Sequence, residues 1–370
     1  MQLRVLVVNA GSSSLKLSVI GPGDETLASA ELSAPRAVVD DDELRAALGG
    51  GGLGQADAVG HRIVHGGSRF LSAVVVDSEV RHALGELVDL APLHQPKSLA
   101  ALDAVSQALP GLPAVACFDT AFHATLPDAA FTYALPASWS GRLGVRRYGF
   151  HGLSHAWIAR RAPSLVGASG ASSGLRIVSC HLGAGASLCA ILGGRSVDTT
   201  MGFTPLEGLV MATRSGSVDP GLVLWLLSRG DVSEDELGHT LEHESGLLGL
   251  SGSPDMREVL ARAGGGDAAS RLALDVYLHR LRGLIASMTA ALGGLDVLAF
   301  TGGVGEHSAE IRDGAAAGLS FLGVGVDGAR NEGASGDVDI SGAGAGVRTV
   351  VIRAREDLEI AGQVRSVLRT

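Results

Sequence analysis

Short apolar runs rich in β-branched residues alternate along the chain with longer segments whose apolar residues recur at helical spacing. The short runs predict buried strands, because each is brief and ends in glycine or in polar residues. The predicted strands cover residues 3–10, 15–20, 58–67, 113–119, 175–192 (two strands around a glycine turn), 295–308 (a strand that runs into glycines and a helix) and 347–352. The longer segments predict helices, with Ser154 as an expected N-cap. The predicted helices cover residues 79–90, 98–109, 154–162, 220–230, 233–245, 270–292 and 356–368. Such mixing of strands and helices is typical of the α/β class.

Two stretches of the chain share one pattern, which suggests an internal repeat. Residues 3–20 read as a strand, a Gly/Ser turn and a strand, and residues 175–192 repeat this order around a glycine turn. A Gly/Ser-rich stretch at 167–174 precedes the second copy. We therefore expect two similar halves, each opening on a hairpin.

Length, charge and cysteine content narrow the class of protein. The 370 residues suggest two domains, and the net charge of −10 argues against nucleic acid or an anionic membrane as the main partner. Three cysteines do not make a disulfide framework and suit a reducing compartment. No apolar run reaches the ~20 residues that span a bilayer, and the N-terminal run is too short for a signal peptide. We expect a cytoplasmic protein.

Three segments place small residues directly after a strand: 9-NAGSSSLK-16, 181-HLGAGAS-187 and 301-TGGVGEHS-308. Backbone N–H groups in such turns can surround an anion, and Lys16 adds a positive charge beside the first turn. None has the GxxxxGK[ST] or GxGxxG spacing, and each alone is more often a structural turn. Three turns in one chain, two of them echoing each other, favour the phosphates of a nucleotide.

Polar side chains follow two of the predicted strands. Arg62 and His65 follow the apolar start of the strand at 58–67, and Asp119, Thr120 and His123 end the strand at 113–119. An acid at the carboxyl end of a strand in an α/β sheet is a common place for a metal-facing group. The competing interpretation is a helix N-cap or a surface salt bridge.

Histidines and arginines mark two further segments. The stretch 147-RYGFHGLSH-155 crowds Arg147, His151 and His155, and the polar, glycine-broken stretch 198–220 predicts a functional loop. Arg214 in this loop is the cation that we expect to hold a phosphoryl or carboxylate group. The spacing of histidines and cysteines argues against a zinc site.

Together these motifs resemble the acetate kinase family, which comprises acetate and propionate kinases. Each motif alone is weak, but ten in the family's order over nearly the whole chain are highly specific. They are 9-NAGSSSLK, 61-HRIVHGG, 90-LAPLHQP, 118-FDTAFH, 148-YGFHGLSH, 181-HLGAGAS, 198-DTTMGFTPLEG, 213-TRSG, 254-PDMR and 301-TGGVGE. The resemblance implies an α/β fold of two related actin/Hsp70/sugar-kinase-like (ASKHA) domains with the active site in the interdomain cleft. It implies an N-terminal domain at 1–122, closed by the C-terminal helix at 357–370, and a nucleotide-binding domain at 123–356.

The resemblance also implies the reaction ATP + acetate = ADP + acetyl phosphate, by direct in-line transfer with Mg²⁺ or Mn²⁺, and a homodimer. The implied catalytic residues are Asp119, which positions metal and substrate, and His151 and Arg214, which stabilise the transition state. The implied substrate residues are Arg62, Val64, Leu93, Phe150 and Pro205. The implied nucleotide residues are Lys16, His181, Leu182, Gly183, Ala184, Gly185, Asp255, Met256, Arg257, Gly303, Val304, Gly305, Glu306 and His307. The implied metal residues are Asn9 and Glu356.

The chain departs from the family pattern mainly on the nucleotide side. Ala184 and His307 each replace a usual asparagine, 353-RAR replaces a Pro-Thr-Asn run, and Leu17 replaces a phenylalanine. The chain also looks shorter than family members around 21–57. The nucleotide preference is therefore open, while the substrate-side residues are intact.

Three alternatives to an acetate kinase are left open, and Ala184 and His307 motivate the first of them. One is a kinase for propionate or another short acid, or a relative that uses pyrophosphate as donor. Another is a catalytically weak nucleotide-binding regulatory protein, although such a protein would be expected to lose Asp119, Arg62 or Arg214. The last is an actin-like filament ATPase, in which the acyl-site residues would have no purpose.

Overall fold

The computed structural model describes residues 3–11, 14–33, 41–50, 52–92, 94–168 and 174–369. Leu93 and most of the Gly/Ser stretch at 167–174 therefore lie outside the described residues. The described part contains twelve strands and fifteen α-helices, with short 3-10 and π turns between them.

The strands are β1 Val5–Ala10, β2 Ser14–Ile20, β3 Thr26–Ser33, β4 Ala58–Ile63, β5 Val74–Val75, β6 Ala114–Phe118, β7 Arg176–Leu182, β8 Ala186–Leu192, β9 Arg195–Thr199, β10 Val297–Thr301, β11 Val338–Asp339 and β12 Arg348–Val351. The helices are α1 Asp41–Gly49, α2 Ser78–Glu86, α3 Gln95–Ala108, α4 Asp128–Phe131, α5 Ala137–Leu143, α6 Gly152–Leu165, α7 Pro220–Arg229, α8 Glu234–His239, α9 Gly246–Ser251, α10 Met256–Gly264, α11 Ala268–Leu292, α12 Gly302–His307, α13 Ala309–Ala317, α14 Gly328–Glu332 and α15 Glu356–Val367.

The strands form two six-stranded sheets with the same topology. The first sheet has the order β3-β2-β1-β4-β6-β5, and the second has the order β9-β8-β7-β10-β12-β11. In each sheet the three central strands run parallel and the outer strands pair antiparallel. The internal repeat and the α/β class predicted from the sequence are thus confirmed.

Residue contacts divide the chain into two units. The first comprises 1–124, 150–157 and 355–370, and the second comprises 125–149 and 158–354. The first unit therefore includes 150–157, which the predicted division at 122/123 assigned to the second domain.

The first sheet carries an apolar cluster on each face. One cluster includes Leu6, Val8 and Val59 and packs against α1 and α3. The cluster on the other face includes Val7 and packs against α15, whose contacts are with β1, β2, β4 and β6. The C-terminal helix thus completes the core of the first unit.

Most elements lie where the sequence pattern predicted them, with shifts at their ends. Helix α3 begins at Gln95 rather than at residue 98, because Pro96 is well accommodated in the first turn of a helix. The prediction of Ser154 as an N-cap is wrong, since α6 already begins at Gly152 and Ser154 is buried inside it. The second sheet packs on the long helix α11, which contacts β7, β8 and β9. No helix in the described ranges is long and apolar enough to cross a membrane.

Candidate active site

The ends of three parallel strands bring four polar residues of the first unit together. Asn9 lies in β1, Arg62 in β4, and Asp119 directly follows β6. Parallel registry pairs Val8 with His61 and Arg62 with Cys117, so these polar side chains share the face that α15 covers. The fourth residue, Glu356, is the first residue of α15.

Arg62 contacts each of the other three residues of this group. Its Nε donates to Asp119 Oδ1 at 3.3 Å and to Oδ2 at 3.1 Å, and its Nη2 donates to Oδ2 at 2.6 Å. Its Nη1 donates to Asn9 Oδ1 at 3.2 Å, and its Nε lies 4.0 Å from Glu356 Oε2. Asn9 Nδ2 in turn donates to Glu356 Oε2 at 3.4 Å. We call these four residues the acid–arginine cluster.

The cluster holds charge in a poorly solvated place. The side chain of Asp119 is only 1% exposed, whereas those of Arg62 and Glu356 retain some access to solvent. Burial works against the charge on Arg62, but the attraction of Asp119 and Glu356 and the hydrogen bond to Asp119 outweigh it, so that its pKa is raised. Arg62 therefore stays a cation.

The oxygen atoms of the cluster suit a hard divalent cation. Asp119, Glu356 and Asn9 supply carboxylate and amide oxygens, and within the described residues no group of three or more His, Cys, Asp or Glu offers an all-protein cage. Magnesium is usually bound by one or two carboxylates together with waters and substrate phosphates. The donor set fits such an ion, with the remaining ligands coming from the substrate.

A turn with an unusual backbone conformation contacts Asp119. His151 has φ 55°, a conformation rare for a residue with a side chain, and it directly precedes α6. The N–H of Gly152 donates to the carbonyl oxygen of Asp119 at 2.8 Å, and a Cβ at Gly152 would lie 2.1 Å from that oxygen. The turn thus fixes His151 to the strand end that carries Asp119.

Buried apolar residues lie near the same strand ends, and hydrogen bonds hold the backbone beside them. Val64 and Phe150 are buried, and the ring of His65 contacts Phe150 edge-on at 5.6 Å between centroids. Gln95 accepts from the N–H of His65 at 3.2 Å and donates to its carbonyl oxygen at 3.1 Å. Burial lowers the pKa of His65 to about 4, so the ring is neutral at pH 7. Leu93, predicted for the same pocket, lies outside the described residues.

In the second unit, Arg214 is held by its own loop. Its Nη1 donates to the carbonyl oxygen of Pro205 at 2.6 Å, and burial lowers its pKa while Glu242 opposes the shift. The N–H of Ala212 donates to the carbonyl oxygen of Ala184 at 3.1 Å. The loop that carries Arg214 and the turn that carries Ala184 are therefore hydrogen-bonded to each other.

A polar network anchors the start of this loop. Glu207 accepts from Tyr133 at 2.7 Å and from Arg147 at 2.7 Å. Arg147 also donates to the carbonyl oxygens of Thr200 and Met201 at 3.3 and 3.0 Å. Burial and the bond to Glu207 raise the pKa of Tyr133 to about 12, so it stays a hydrogen-bond donor.

The residues predicted for the nucleotide differ in how their side chains are placed. Leu182 and Met256 are buried, so only their backbone is available to a ligand. Asp255 caps the N-terminus of α10 and pairs with the exposed Arg257 at 2.6 Å. Lys16 is exposed on β2 directly opposite Asn9.

The predicted glycine turns after β7 and after β10 both lie in the second unit. In the turn after β7, Ala184 is exposed between Gly183 and Gly185. In the turn after β10, the N–H of Gly302 already donates to Glu306 Oε1 at 3.1 Å. The helix that follows, α12, spans only six residues. The expectation of an anion at its N-terminus is thus weakened, because a carboxylate of the chain occupies the first donor.

Sequence reasoning missed several residues that support the site. Gln95, Tyr133 and Glu207 carried no recognisable chemistry, although Gln95 and Glu207 lie in the family-like stretches 90-LAPLHQP and 198-DTTMGFTPLEG. Arg312 of α13 was also missed, because nothing in the sequence separates a buried arginine from the many exposed ones. Only their partners in space identify them.

The two sheets of like topology define the class of the fold, an α/β protein of two similar units. A sequence model described as the acetokinase family matches residues 42–362. An acetate kinase from Nostoc sp. is 48% identical over 320 residues, which cover 86% of this chain and 78% of the relative. The chain therefore belongs to the acetokinase family, the phosphotransferases with a carboxyl group as acceptor.

Solved structures agree with this assignment. The crystal structure of Porphyromonas gingivalis acetate kinase matches with a TM-score of 0.90 and 34% identity, over 99% of both chains. A propionate kinase from Francisella tularensis matches with a TM-score of 0.89 and 33% identity, over 97% of this chain and 98% of that one.

Proposed function

We propose that this chain is a short-chain carboxylate kinase that transfers the γ-phosphoryl group of ATP reversibly to acetate. The observation that carries the proposal is the acid–arginine cluster, in which Arg62 stays charged between Asp119 and Glu356. Phosphoryl transfer requires positioning and charge stabilisation more than covalent chemistry. A cation and two carboxylates at one sheet edge supply both.

The roles follow from what each group can do. The acetate carboxylate is itself the nucleophile, so the enzyme needs no strong base. Arg62 binds the substrate carboxylate or the transferred phosphoryl group through the donor capacity that Asp119 and Asn9 do not use. His151 and Arg214 donate to the oxygens on which charge is spread in the transition state. Val64, Phe150, Pro205 and Leu93 are the residues assigned to the apolar part of the acid.

Magnesium, or manganese in its place, would be held by Asp119, Glu356 and Asn9. The ion neutralises phosphate charge when it is bound. Asp119 is buried and bonded to Arg62, so it presents a fixed oxygen edge. Glu356 opens α15 and is more accessible.

ATP is proposed to bind in the second unit. The residues assigned to it are those of the turn after β7, His181 and Leu182 to Gly185; those at the start of α10, Asp255 to Arg257; and those of the turn after β10, Gly303 to Gly305 and His307. Glu306 is left out, because its carboxylate already accepts from the N–H of Gly302. Lys16 of the first unit is assigned to the phosphates. The bond between Ala212 and the carbonyl oxygen of Ala184 supports this proposal, because it ties the nucleotide turn to the loop of Arg214.

A second candidate is a kinase with another acid or donor. The similarity to a propionate kinase keeps the longer acid as an alternative. Ala184 and His307 motivate a different donor, because both side chains are exposed on nucleotide-side turns and lack the usual amide. Pyrophosphate is the donor that would depend least on those turns.

We further propose a cytoplasmic homodimer. Helix α7 supports the dimer, because none of its residues is buried although most are apolar. Leu224 is 68% exposed and Trp225 is 53% exposed. Three buried thiols, Cys117, Cys180 and Cys189, none in a disulfide, are compatible with a reducing compartment.

The test is to trap acyl phosphate with hydroxylamine, using acids of one to four carbons with ATP, GTP or pyrophosphate. We expect ATP with acetate to give the highest kcat/KM. A higher kcat/KM with propionate or with pyrophosphate would replace the leading proposal by the second candidate. Absence of acyl phosphate with every pair would refute both.

A further inference from the structure

The carboxylate of Glu306 joins two segments of the second unit. Its Oε1 accepts from the N–H of Gly302 at 3.1 Å and from the N–H of Ala354 at 2.9 Å. Gly302 opens the turn after β10, and Ala354 lies two residues before Glu356 in the chain. A single oxygen atom thus ties the proposed nucleotide turn to the segment that leads into α15.

The backbone that carries Glu306 is itself held firmly. Arg312, which is 2% exposed, donates to the carbonyl oxygens of Gly305 and Glu306 at 2.9 and 2.8 Å. It also donates to Asn331 Oδ1 and to the carbonyl oxygen of Asn331, both at 2.7 Å. A buried guanidinium with four acceptors fixes the end of α12.

The other end of the turn is equally constrained. Gly302 has φ 79°, and a Cβ there would lie 2.7 Å from the carbonyl oxygen of Leu182. The turn therefore lies directly against the end of β7. With both ends of α12 held, the length of the Glu306 side chain decides whether its Oε1 reaches the N–H of Ala354.

We propose that Glu306 is a positioning residue whose Oε1 holds the backbone of Ala354 against the turn after β10, and that it thereby fixes the chain directly before Glu356. Both of its contacts use the oxygen as an acceptor of backbone N–H bonds, so they require reach and an acceptor but no net charge. The inference rests on the proposed function for the roles of Glu356 and the turn. It replaces direct nucleotide contact as the role of Glu306.

Two substitutions of Glu306 distinguish the effect of side-chain length from the effect of charge. Glu306→Gln keeps the length and the acceptor oxygen and removes the charge, whereas Glu306→Asp keeps the charge and shortens the side chain by one methylene. We expect Glu306→Gln to keep kcat/KM and the magnesium concentration for half-maximal activity within about twofold. We expect Glu306→Asp to lower kcat/KM about tenfold and to raise the magnesium requirement, because the shorter side chain cannot reach both backbone N–H groups. Glu332→Gln and Glu332→Asp on the exposed face of α14 are the matched controls and should change neither value.

A second readout does not depend on activity. Hydrogen exchange of the amide of Ala354, measured without nucleotide or metal, should be slow in the wild type and in Glu306→Gln and faster in Glu306→Asp. A Glu306→Gln variant that loses activity tenfold while Glu306→Asp keeps it would show that the charge contacts a ligand and would overturn the proposal. Wild-type kinetics and exchange in both variants would also overturn it. If Glu306→Asp does not fold, the Glu306→Gln result alone decides. If the wild type makes no acyl phosphate, the proposed function fails, while the exchange experiment still tests the positioning.

Discussion

Ala184 lies on the turn between β7 and β8, with its methyl group exposed and its carbonyl oxygen bonded to the N–H of Ala212. Its φ is not in the left-handed region, so a larger side chain is tolerated by the backbone. The neighbouring Gly183 and Gly185 keep the turn closed through a bond between the N–H of Gly183 and the carbonyl oxygen of Gly185 at 3.0 Å. The position is therefore open to substitution without loss of the fold.

Ala184→Asn is expected to lower the KM for ATP and to leave the KM for acetate nearly unchanged. The added amide can supply one hydrogen bond to a charged phosphate, worth ~1.5–3 kcal/mol, which is about tenfold or more in affinity. Steady-state kinetics in both substrates provide the measurement, with the KM for acetate as internal control. An unchanged KM for ATP together with an altered KM for pyrophosphate would favour the second candidate.

The buried environment of His61 leads to a second prediction for a single residue. It is 1% exposed in β4, and neither of its ring nitrogens has a hydrogen-bond partner among the described residues. Burial lowers its pKa to about 4, against a weak opposing effect of Asp103. The folded state therefore holds the ring neutral.

The unfolded chain binds this proton near pH 6.5, so the contribution of neutral His61 is complete above pH 6.5 and is lost as the pH falls towards 4. At pH 5 the loss amounts to about 2 kcal/mol. We expect His61→Leu to lose less free energy of unfolding than the wild type between pH 7 and pH 5, as measured by urea denaturation. His82→Leu, on the exposed face of α2, should follow the wild type. Parallel pH profiles of His61→Leu and wild type would contradict the assignment.

Among single residues, the sequence predicted the charged residues of the site better than the residues that support the site through hydrogen bonds. Arg62 and Asp119 were predicted from their places at strand ends, and the structure pairs them. Gln95 and Glu207 could not be predicted, because an amide at the start of a helix or a carboxylate in a loop has no pattern until its partners are known. Their hydrogen bonds depend on residues 30 and 74 positions away in the chain.

Helix α15 shows how one element places a residue of the site. Leu358, Ile360, Ala361 and Val364 face the first sheet, and Arg365 donates to the carbonyl oxygens of Leu3 and Ile20. These contacts bring the first residue of the helix, Glu356, to the ends of β1 and β4. Periodicity predicted the helix, and the family resemblance implied where it packs.

Gly60 of β4 allows this close approach. A Cβ there would lie 2.6 Å from Ile360 Cγ2 and 2.7 Å from Val364 Cγ2, and both side chains are stiff. Gly60→Ala should therefore displace α15, cost about 1–3 kcal/mol of stability and lower kcat by moving Glu356.

Thermal unfolding and turnover of Gly60→Ala provide the check. The control is Gly283→Ala in the middle of α11, where a Cβ meets nothing within 4 Å. That control should gain about 0.5–1 kcal/mol from helix propensity. A Gly60→Ala variant with wild-type stability and turnover would mean that α15 is not held by this contact.

For the whole molecule, the two sheets repeat one topology although their hairpin turns differ in sequence. The repeat could be anticipated from two similar strand–turn–strand patterns, because strand order follows from short connections and parallel crossovers. The exact limits of the two units could not, since residues 150–157 join the first unit through contacts that are distant in sequence, such as the bond from Gly152 to Asp119.

The exposed apolar residues of α7 make a prediction about assembly. If this helix is the dimer contact, Trp225→Glu should shift the mass in sedimentation equilibrium from twice the chain mass of 37.5 kDa to that mass. Leu272→Glu on α11, equally exposed but outside α7, is the control and should leave the dimer intact. A dimer that persists in Trp225→Glu would place the contact elsewhere, and a monomeric wild type would refute the dimer.

The central claim is that the acid–arginine cluster carries phosphoryl transfer to a short carboxylate, and Asp119→Asn tests it most directly. The change keeps the shape of the side chain and removes the charge that holds Arg62 and a divalent cation. The measurement is the rate of acetyl phosphate formation from ATP and acetate over a range of magnesium concentrations, with circular dichroism to verify folding. The account predicts a folded protein whose turnover falls by about 10²–10³-fold or more and is not restored by added magnesium. Near-normal turnover with unchanged magnesium dependence would contradict it.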